Sequence, residues 1–301
     1  MDETGKVLAF RREPYTFARD DAAAGRALAD KLISVAHRMF DEQSAHAAIK
    51  AVGVGFPGLV HHASQRIVKL PHTPSLADID LHQEFARAFN VPVHFENNAN
   101  AAAYAELRCG AARGVGDFLY LHIGAGVGAG LVIDGKLRHG TSGFAGEIGH
   151  MNFDPEGLEC DCGNRGCLET MVSAGNIVRR TRERLRRDST SSLSRLGAMG
   201  GFTYDDIITA ADTGDDLARI MLQRTGTFIG RTIADVLNLL NLSMVAVGGA
   251  PAARRFLVPA ITEEVRQRAF APEFDDCRIV AAELGAEAGV IGAALLAGKA
   301  Q

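Results

Sequence analysis

Cys160, Cys162 and Cys167 fall within eight positions, and His150 lies ten residues ahead of the first. Three thiolates and one imidazole make a closed tetrahedral set, the donor combination that holds zinc with no open position. Asp161, Gly163, Asn164 and Gly166 stand between the cysteines. These types favour tight turns, which lets the sulfurs converge on one point. A reduced cysteine cluster in a loop is the alternative; spacing, turn residues and the nearby histidine together favour the metal. A closed site is structural, so zinc here is expected to fix a loop and not to activate water. Glu147 and Glu169 flank the set. Folding the loop about an ion brings both carboxylates toward His150, and carboxylates accept hydrogen bonds from hydroxyl groups. That makes the cluster a candidate polyol-binding surface.

Other residues suited to ligands sit where strands are expected to end. Gly55-Phe56-Pro57-Gly58 is a sharp turn where backbone can approach a ligand, although a plain tight turn fits that segment equally well. Glu96-Asn97-Asn98 ends a strand and opens an alanine-rich helix. Ile123 to Gly130 alternates glycines between two strands, a pattern that cradles phosphate in some folds and is a simple turn in others. It opens no helix, so it is not a dinucleotide-binding fingerprint. Gly248-Gly249-Ala250-Pro251 follows another strand.

Periodicity supplies the elements that must position these groups. Helices are predicted over 21–40, 81–89, 99–109, 174–187, 203–211, 215–240, 252–268 and 283–296, and strands over 51–54, 91–95, 117–122, 131–133, 245–247 and 279–281. His61 and His62 read as surface histidines in a polar loop, and 188–194 as a loop. The basic run 179–187 reads as a solvated helix end with its cations at the negative pole of the dipole. Strands alternating with helices predict an α/β protein. Ligands in such sheets sit beyond the carboxyl ends of strands, so the turns at Gly55, Asn97, Gly124 and Gly248 are expected to face one cleft. Near the start, 2–5 reads as a hairpin turn and 7–10 as the strand leaving it. A hairpin needs a strand before its turn, so a first strand upstream of Met1 is expected to be missing.

The chain has 301 residues, 47% of them hydrophobic and 23% charged, an ordinary globular composition. A net charge of −4 argues against the whole chain being a nucleic-acid binder. No apolar run reaches membrane-spanning length and no signal peptide opens the sequence. Three clustered thiols with Cys109 and Cys277 isolated suit a reducing cytoplasm.

Gly146-Glu147-Ile148-Gly149-His150, followed by Cys160-x-Cys162-Gly163-Asn164-Arg165-Gly166-Cys167-Leu168-Glu169, resembles the ROK family of bacterial sugar kinases and sugar-responsive transcriptional repressors. Supporting matches lie at Gly55 to Gly58, Glu96 to Asn100, Gly124 to Gly130 and Gly248-Gly249. The resemblance implies an actin-like (ribonuclease H-like) fold of two α/β lobes about a central cleft. The lobes would be 1–113 and 114–283, the latter with the zinc loop, and the last helix, 284–301, would pack back onto the first lobe. It implies that Gly58, Asn97, Asn98, Glu147, His150 and Glu169 contact a hexose or amino sugar. It also implies zinc on His150, Cys160, Cys162 and Cys167, an ATP site at Gly124, Gly126, Gly128, Gly248 and Gly249, and a homodimer or homotetramer.

Two departures decide between the family's branches. Its kinases carry Glu-Asn-Asp at the strand end, where the aspartate takes the proton from the sugar hydroxyl. Here Asn98 occupies that position, and an amide cannot act as that base at neutral pH. Glu96 is a poor substitute, because it points to another face than its strand neighbours. The first phosphate loop of the family lies on an opening hairpin, and this sequence begins just after that point. The glycine run IGAGVGAG also lacks the threonine that family kinases often carry there. A non-catalytic, sugar-sensing domain of the repressor type is therefore favoured, reaching DNA only through a module not present in this chain. The alternative is an ATP-dependent hexose kinase of the glucokinase or N-acetylhexosamine kinase type, which the chain length suits. A purely structural zinc protein is the remaining reading.

Overall fold

The computed structural model describes residues 1, 6–14, 24–43, 49–69, 79–187 and 190–299. The expected turn at 2–5 lies outside them. The expected strand at 7–10 is not formed: Val7, Leu8 and Phe10 are exposed and without regular structure. No neighbouring strand among the described residues offers this segment a hydrogen-bonding partner, and a strand exists only as part of a ladder.

Helix α1 (Ala24–Gln43) buries Leu28 and Ala29 against a small sheet. That sheet pairs β1 (Val52–Phe56) with β4 (Val93–Asn97) in parallel, Phe56 opposite Asn97, so both strands end at one level. Between them come the antiparallel pair β2 (Leu59–His61) and β3 (Arg66–Lys69) and helix α2 (Leu81–Phe89). The β2–β3 pair occupies the stretch expected to be a polar loop. Its strands are only three and four residues long, too short for a visible alternation. Helix α3 (Asn98–Cys109) follows β4 directly.

The larger sheet has the order β7-β6-β5-β8-β9. Strands β5 (Phe118–Ile123), β6 (Val127–Ile133) and β7 (Lys136–Leu137) are antiparallel neighbours, and β8 (Met244–Gly249) and β9 (Arg278–Ala281) run parallel to β5. Both faces are covered. Leu119, Leu121, Ile123, Val245 and Val247 point to one face. There they meet α8 (Asp216–Leu240) and α9 (Pro251–Arg268) through Ile229, Ile233, Leu237, Leu257 and Ile261. Phe118, Tyr120, Met244 and Ala246 point to the other face, toward α3 and α11 (Ala288–Lys299). This alternation is the period of two expected of a pleated strand, here with both faces apolar.

The remaining helices are α4 (Glu169–Val172), α5 (Ala174–Leu185), α6 (Leu193–Ala198), α7 (Tyr204–Asp212) and α10 (Ala271–Asp276). Helix α6 begins inside the segment expected to be a loop. The last helix starts at Ala288, after a 3-10 turn, five residues later than expected. Helix α11 lies tight against α3 and β1: a side chain at Gly292 would run into the Ala101 carbonyl, and one at Gly53 into that of Ala293.

Candidate functional site

The turn after β1 and the end of β4 are joined by Asn97. Its Nδ2 donates to the Gly58 carbonyl at 2.9 Å. Its Oδ1 caps α3, accepting from the amides of Ala99 at 2.8 Å and Asn100 at 3.2 Å. Asn97 therefore has a structural task besides any ligand contact. Asn98, the first residue of α3, is half-buried, and its side chain has no hydrogen-bond partner among the described residues.

Glu96 faces away, as strand alternation requires. It is 3% exposed, and its carboxylate accepts from the Asn97 amide at 2.9 Å, Asn100 Nδ2 at 3.1 Å and His139 Nε2 at 2.8 Å. Burial alone would raise its pKa; the His139 bond and the nearby His94 outweigh that and hold the carboxyl at about 2. So weak a base would not take a hydroxyl proton.

The segment from Gly146 to His150 folds as a 3-10 turn, Ile148–His150, laid against β6. Glu147 precedes that turn, and its Oε2 lies 3.9 Å from His150 Nε2. Glu169 opens α4 and accepts from the Val127 amide at 2.7 Å. Burial raises the Glu147 carboxyl, His150 lowers it and the like charge of Glu169 raises it again. Both acids and His150 thus share one neighbourhood, as the spacing predicted. The segment 126–128, running into β6, lies between Glu169 and the start of α3: a side chain at Gly126 would lie 2.7 Å from Glu169 Oε2, and one at Gly128 would lie 3.0 Å from Ala99 Cβ.

The other ring nitrogen of His150, Nδ1, lies 3.6 Å from Cys160 Sγ, and Cys162 Sγ lies 3.6 Å from Cys167 Sγ. All four donor atoms are within 4.8 Å of one another. With metal–sulfur bonds of about 2.3 Å, neighbouring donors of a tetrahedron sit about 3.7 Å apart, so the set is sized for zinc. The turn residues act as expected. Cys160 N donates to Asn164 O at 2.8 Å, Gly163 N donates to Cys160 O at 2.9 Å, and Gly163 and Gly166 take positive φ. Burial pushes the Cys167 thiol up to about 12, so a neighbouring cation is what would keep it a thiolate at neutral pH. Cys109 is half-buried and Cys277 buried, both far in sequence from this set.

The glycine run divides between two tasks. Gly124 N donates to Gly126 O at 2.9 Å in a tight turn, but Val127 already begins β6, four residues earlier than predicted. Gly128 and Gly130 are therefore strand residues whose missing side chains let α3 come close; a Cβ on Gly130 would lie 2.5 Å from Ala103 Cβ. Gly248 and Gly249 pair with His122 and Ile123, so they lie beside Gly124 at the carboxyl ends of β5 and β8. That level of a parallel pair is where α/β folds bind ligands.

Sequence reasoning missed one group. His139 follows β7, His62 stacks on it with ring centroids 3.9 Å apart, and His94 and Glu96 share a face of β4. The i, i+2 spacing of His94 and Glu96 was the only local signal; 62 and 139 join them through topology.

The ROK family model matches residues 10–300. A glucokinase of Halalkalibacterium halodurans is 34% identical, covering 80% of this chain and 74% of that protein. A xylose repressor of Caldicellulosiruptor bescii is 30% identical, covering 81% of this chain but only 61% of the repressor. Among solved structures, a ROK family glucokinase from Streptomyces griseus in complex with glucose and AMPPNP superposes with a TM-score of 0.81. It is 29% identical, covering 99% of this chain and 94% of that one. The chain belongs to the ROK family and has that family's actin-like ATPase fold.

Proposed function

We propose that this ROK protein is a sugar sensor, binding a hexose or amino sugar without efficient phosphoryl transfer. Asn98 carries the reading. It stands at the first turn of α3 with its amide open, and Glu96, its nearest acid in sequence, is turned away and committed to His139. A general base contributes about 10²–10⁴ in rate, so its replacement by an amide is a direct chemical objection to catalysis. Asn97, Glu147, His150 and Glu169 would accept and donate hydrogen bonds to the sugar hydroxyls, with Gly58 held close by Asn97. His150, Cys160, Cys162 and Cys167 would hold zinc, whose charge would keep the thiols ionised and fix the loop that positions Glu147 and Glu169. His150 serves both sets, Nδ1 toward the metal and Nε2 toward Glu147.

The second reading is an ATP-dependent hexose kinase. Nearly full-length likeness to a glucokinase supports it. So does the placing of Gly124, Gly248 and Gly249 at strand carboxyl ends. We place the protein in the cytoplasm, as a dimer or tetramer. The lobe division at 113/114 is also part of the proposal, supported by α11 packing on α3 and β1.

Calorimetric titration against a panel of hexoses and amino sugars, followed by ADP release with the best binder, tests both readings. Binding with ADP release near background is expected. Brisk turnover overturns the sensor, and no binder across the panel overturns both readings.

A further inference from the structure

His62, Glu96 and His139 form a second donor cluster, distinct from the cysteine set, and His94 lies beside Glu96. Glu96 Oε2 lies 2.8 Å from His139 Nε2 and 3.8 Å from His94 Nε2. His94 Nε2 is buried and has no hydrogen-bond partner. An unpartnered buried nitrogen costs free energy, and here the Glu96 carboxylate lies 3.8 Å from it, so an ion between them would satisfy it. His62 stacks on His139 at 17° and meets His94 edge-on with centroids 6.4 Å apart. Donor atoms of His62, Glu96 and His139 all fall within 4.8 Å of one another.

Three imidazoles around one carboxylate suit a borderline transition metal; calcium and magnesium prefer all-oxygen sets. We propose that His62, His94, Glu96 and His139 bind one divalent transition-metal ion, zinc by its ligand preference. Metal–nitrogen and metal–oxygen bonds of about 2.0–2.2 Å put neighbouring donors about 3.3 Å apart. The His139–Glu96 contact opens by about half an ångström and His94 closes by as much. His62 is exposed in the turn after β2, so its ring is free to swing out of the stack and aim its lone pair inward.

The ion joins two parts of the fold. His62 and the β4 residues come from the small-sheet side, and His139 from the loop that leaves the larger sheet. That loop already touches the β2 turn: a Cβ on Gly143 would lie 2.7 Å from Val60 O and 2.8 Å from His62 N. Metal here fastens the loop that leads into Glu147 onto the strand that ends in Asn97. Occupancy therefore tightens binding of any ligand held by those two residues.

The test uses the full chain, stripped with a chelator and titrated with cobalt. Two equivalents are expected. The cysteine set gives intense thiolate-to-metal charge-transfer absorption, and the histidine set gives only weak visible bands. His62→Ala, a surface change, should weaken the second event at least about tenfold and leave the first intact. His94→Ala should do the same. A single cobalt equivalent overturns the proposal, as does a second equivalent equally tight in both variants.

Discussion

An amide and a carboxylate of one shape differ at position 98 in their capacity to take a proton. Asn98→Asp changes almost no volume, so its effect on ADP release isolates that capacity. Where the first phosphate loop is missing, this change alone is expected to raise ADP release only slightly, because a base contributes its factor of about 10²–10⁴ only when the nucleotide is positioned. Brisk turnover by the parent chain would mean that position 98 is not where a base is missing. Glu147 and Glu169 are separated by 22 positions but feel each other's charge, so on the proposed function each substitution to alanine should weaken sugar binding. The cost should be about 1.5–3 kcal/mol per lost charged hydrogen bond. Glu169→Ala should also lower thermal stability, because the Val127 amide loses its acceptor, whereas the Glu147 carboxylate accepts from no backbone amide among the described residues. Calorimetry and melting curves separate these effects. The cysteine set was legible because its donors are close along the chain. The histidine cluster was not, because 62, 94 and 139 meet only after β4 and β7 are placed.

Among the elements, α8 shows how a cap can also hold a loop. Asp215 Oδ1 accepts from the Ala218 amide at 3.0 Å, while Oδ2 accepts from Ser191 Oγ at 2.9 Å and from Ser192 N and Oγ at 2.6 and 2.7 Å. Burial pushes its carboxyl up, but these bonds, with Ser192 foremost, outweigh burial and hold it below its ordinary range. Such a group stabilises the fold above its unfolded pKa, and the contribution disappears as pH falls through the lowered folded value. Asp215→Ala should cost about 0.5–2 kcal/mol from the cap alone at pH 7. The gap from the parent should narrow below about pH 4 in urea titrations. The start of α8 was legible in sequence from Asp215 and the apolar period behind it. The start of β6 was not, since glycines at 128 and 130 read locally as turn and are strand only because α3 presses on them. Gly130→Ala should accordingly cost about 1–3 kcal/mol from overpacking, with little change in the metal content.

For the molecule as a whole, alternating strands and helices gave the α/β class; Asn97, Gly124 and Gly248 lie at strand carboxyl ends as expected, whereas Gly55, expected in a turn, is a residue of β1, and the turn falls at Pro57-Gly58. The pairing of β5 with both an antiparallel and a parallel neighbour was not legible, because side-chain periodicity is the same in either. The cysteine loop joins these scales. It carries Glu147 and Glu169 at its two ends, so on the proposed function its order and that of the sugar site are one property. Cys162→Ser should lose the bound zinc, lower Tm by on the order of 10 °C, and abolish sugar binding together with it. Elemental analysis, calorimetry and titration on one preparation check this. A metal-free chain with an unchanged melting transition would falsify the zinc assignment.

Helix α3 has methyl groups where most helices carry longer side chains: Ala99, Ala101, Ala102, Ala103 and Ala105 are all buried. Such a rod has no rotamers to absorb a push. Glycines receive it from two directions, Gly128 and Gly130 on β6 and Gly292 on α11. A displacement of a few tenths of an ångström at Asn97 or Asn98 would meet little side-chain slack along this buried alanine face and would be passed to β6 and α11 largely as a rigid shift. The alanine-rich sequence would thus serve as a pushrod between the proposed sugar site at its start and the chain's last helix packed on its side.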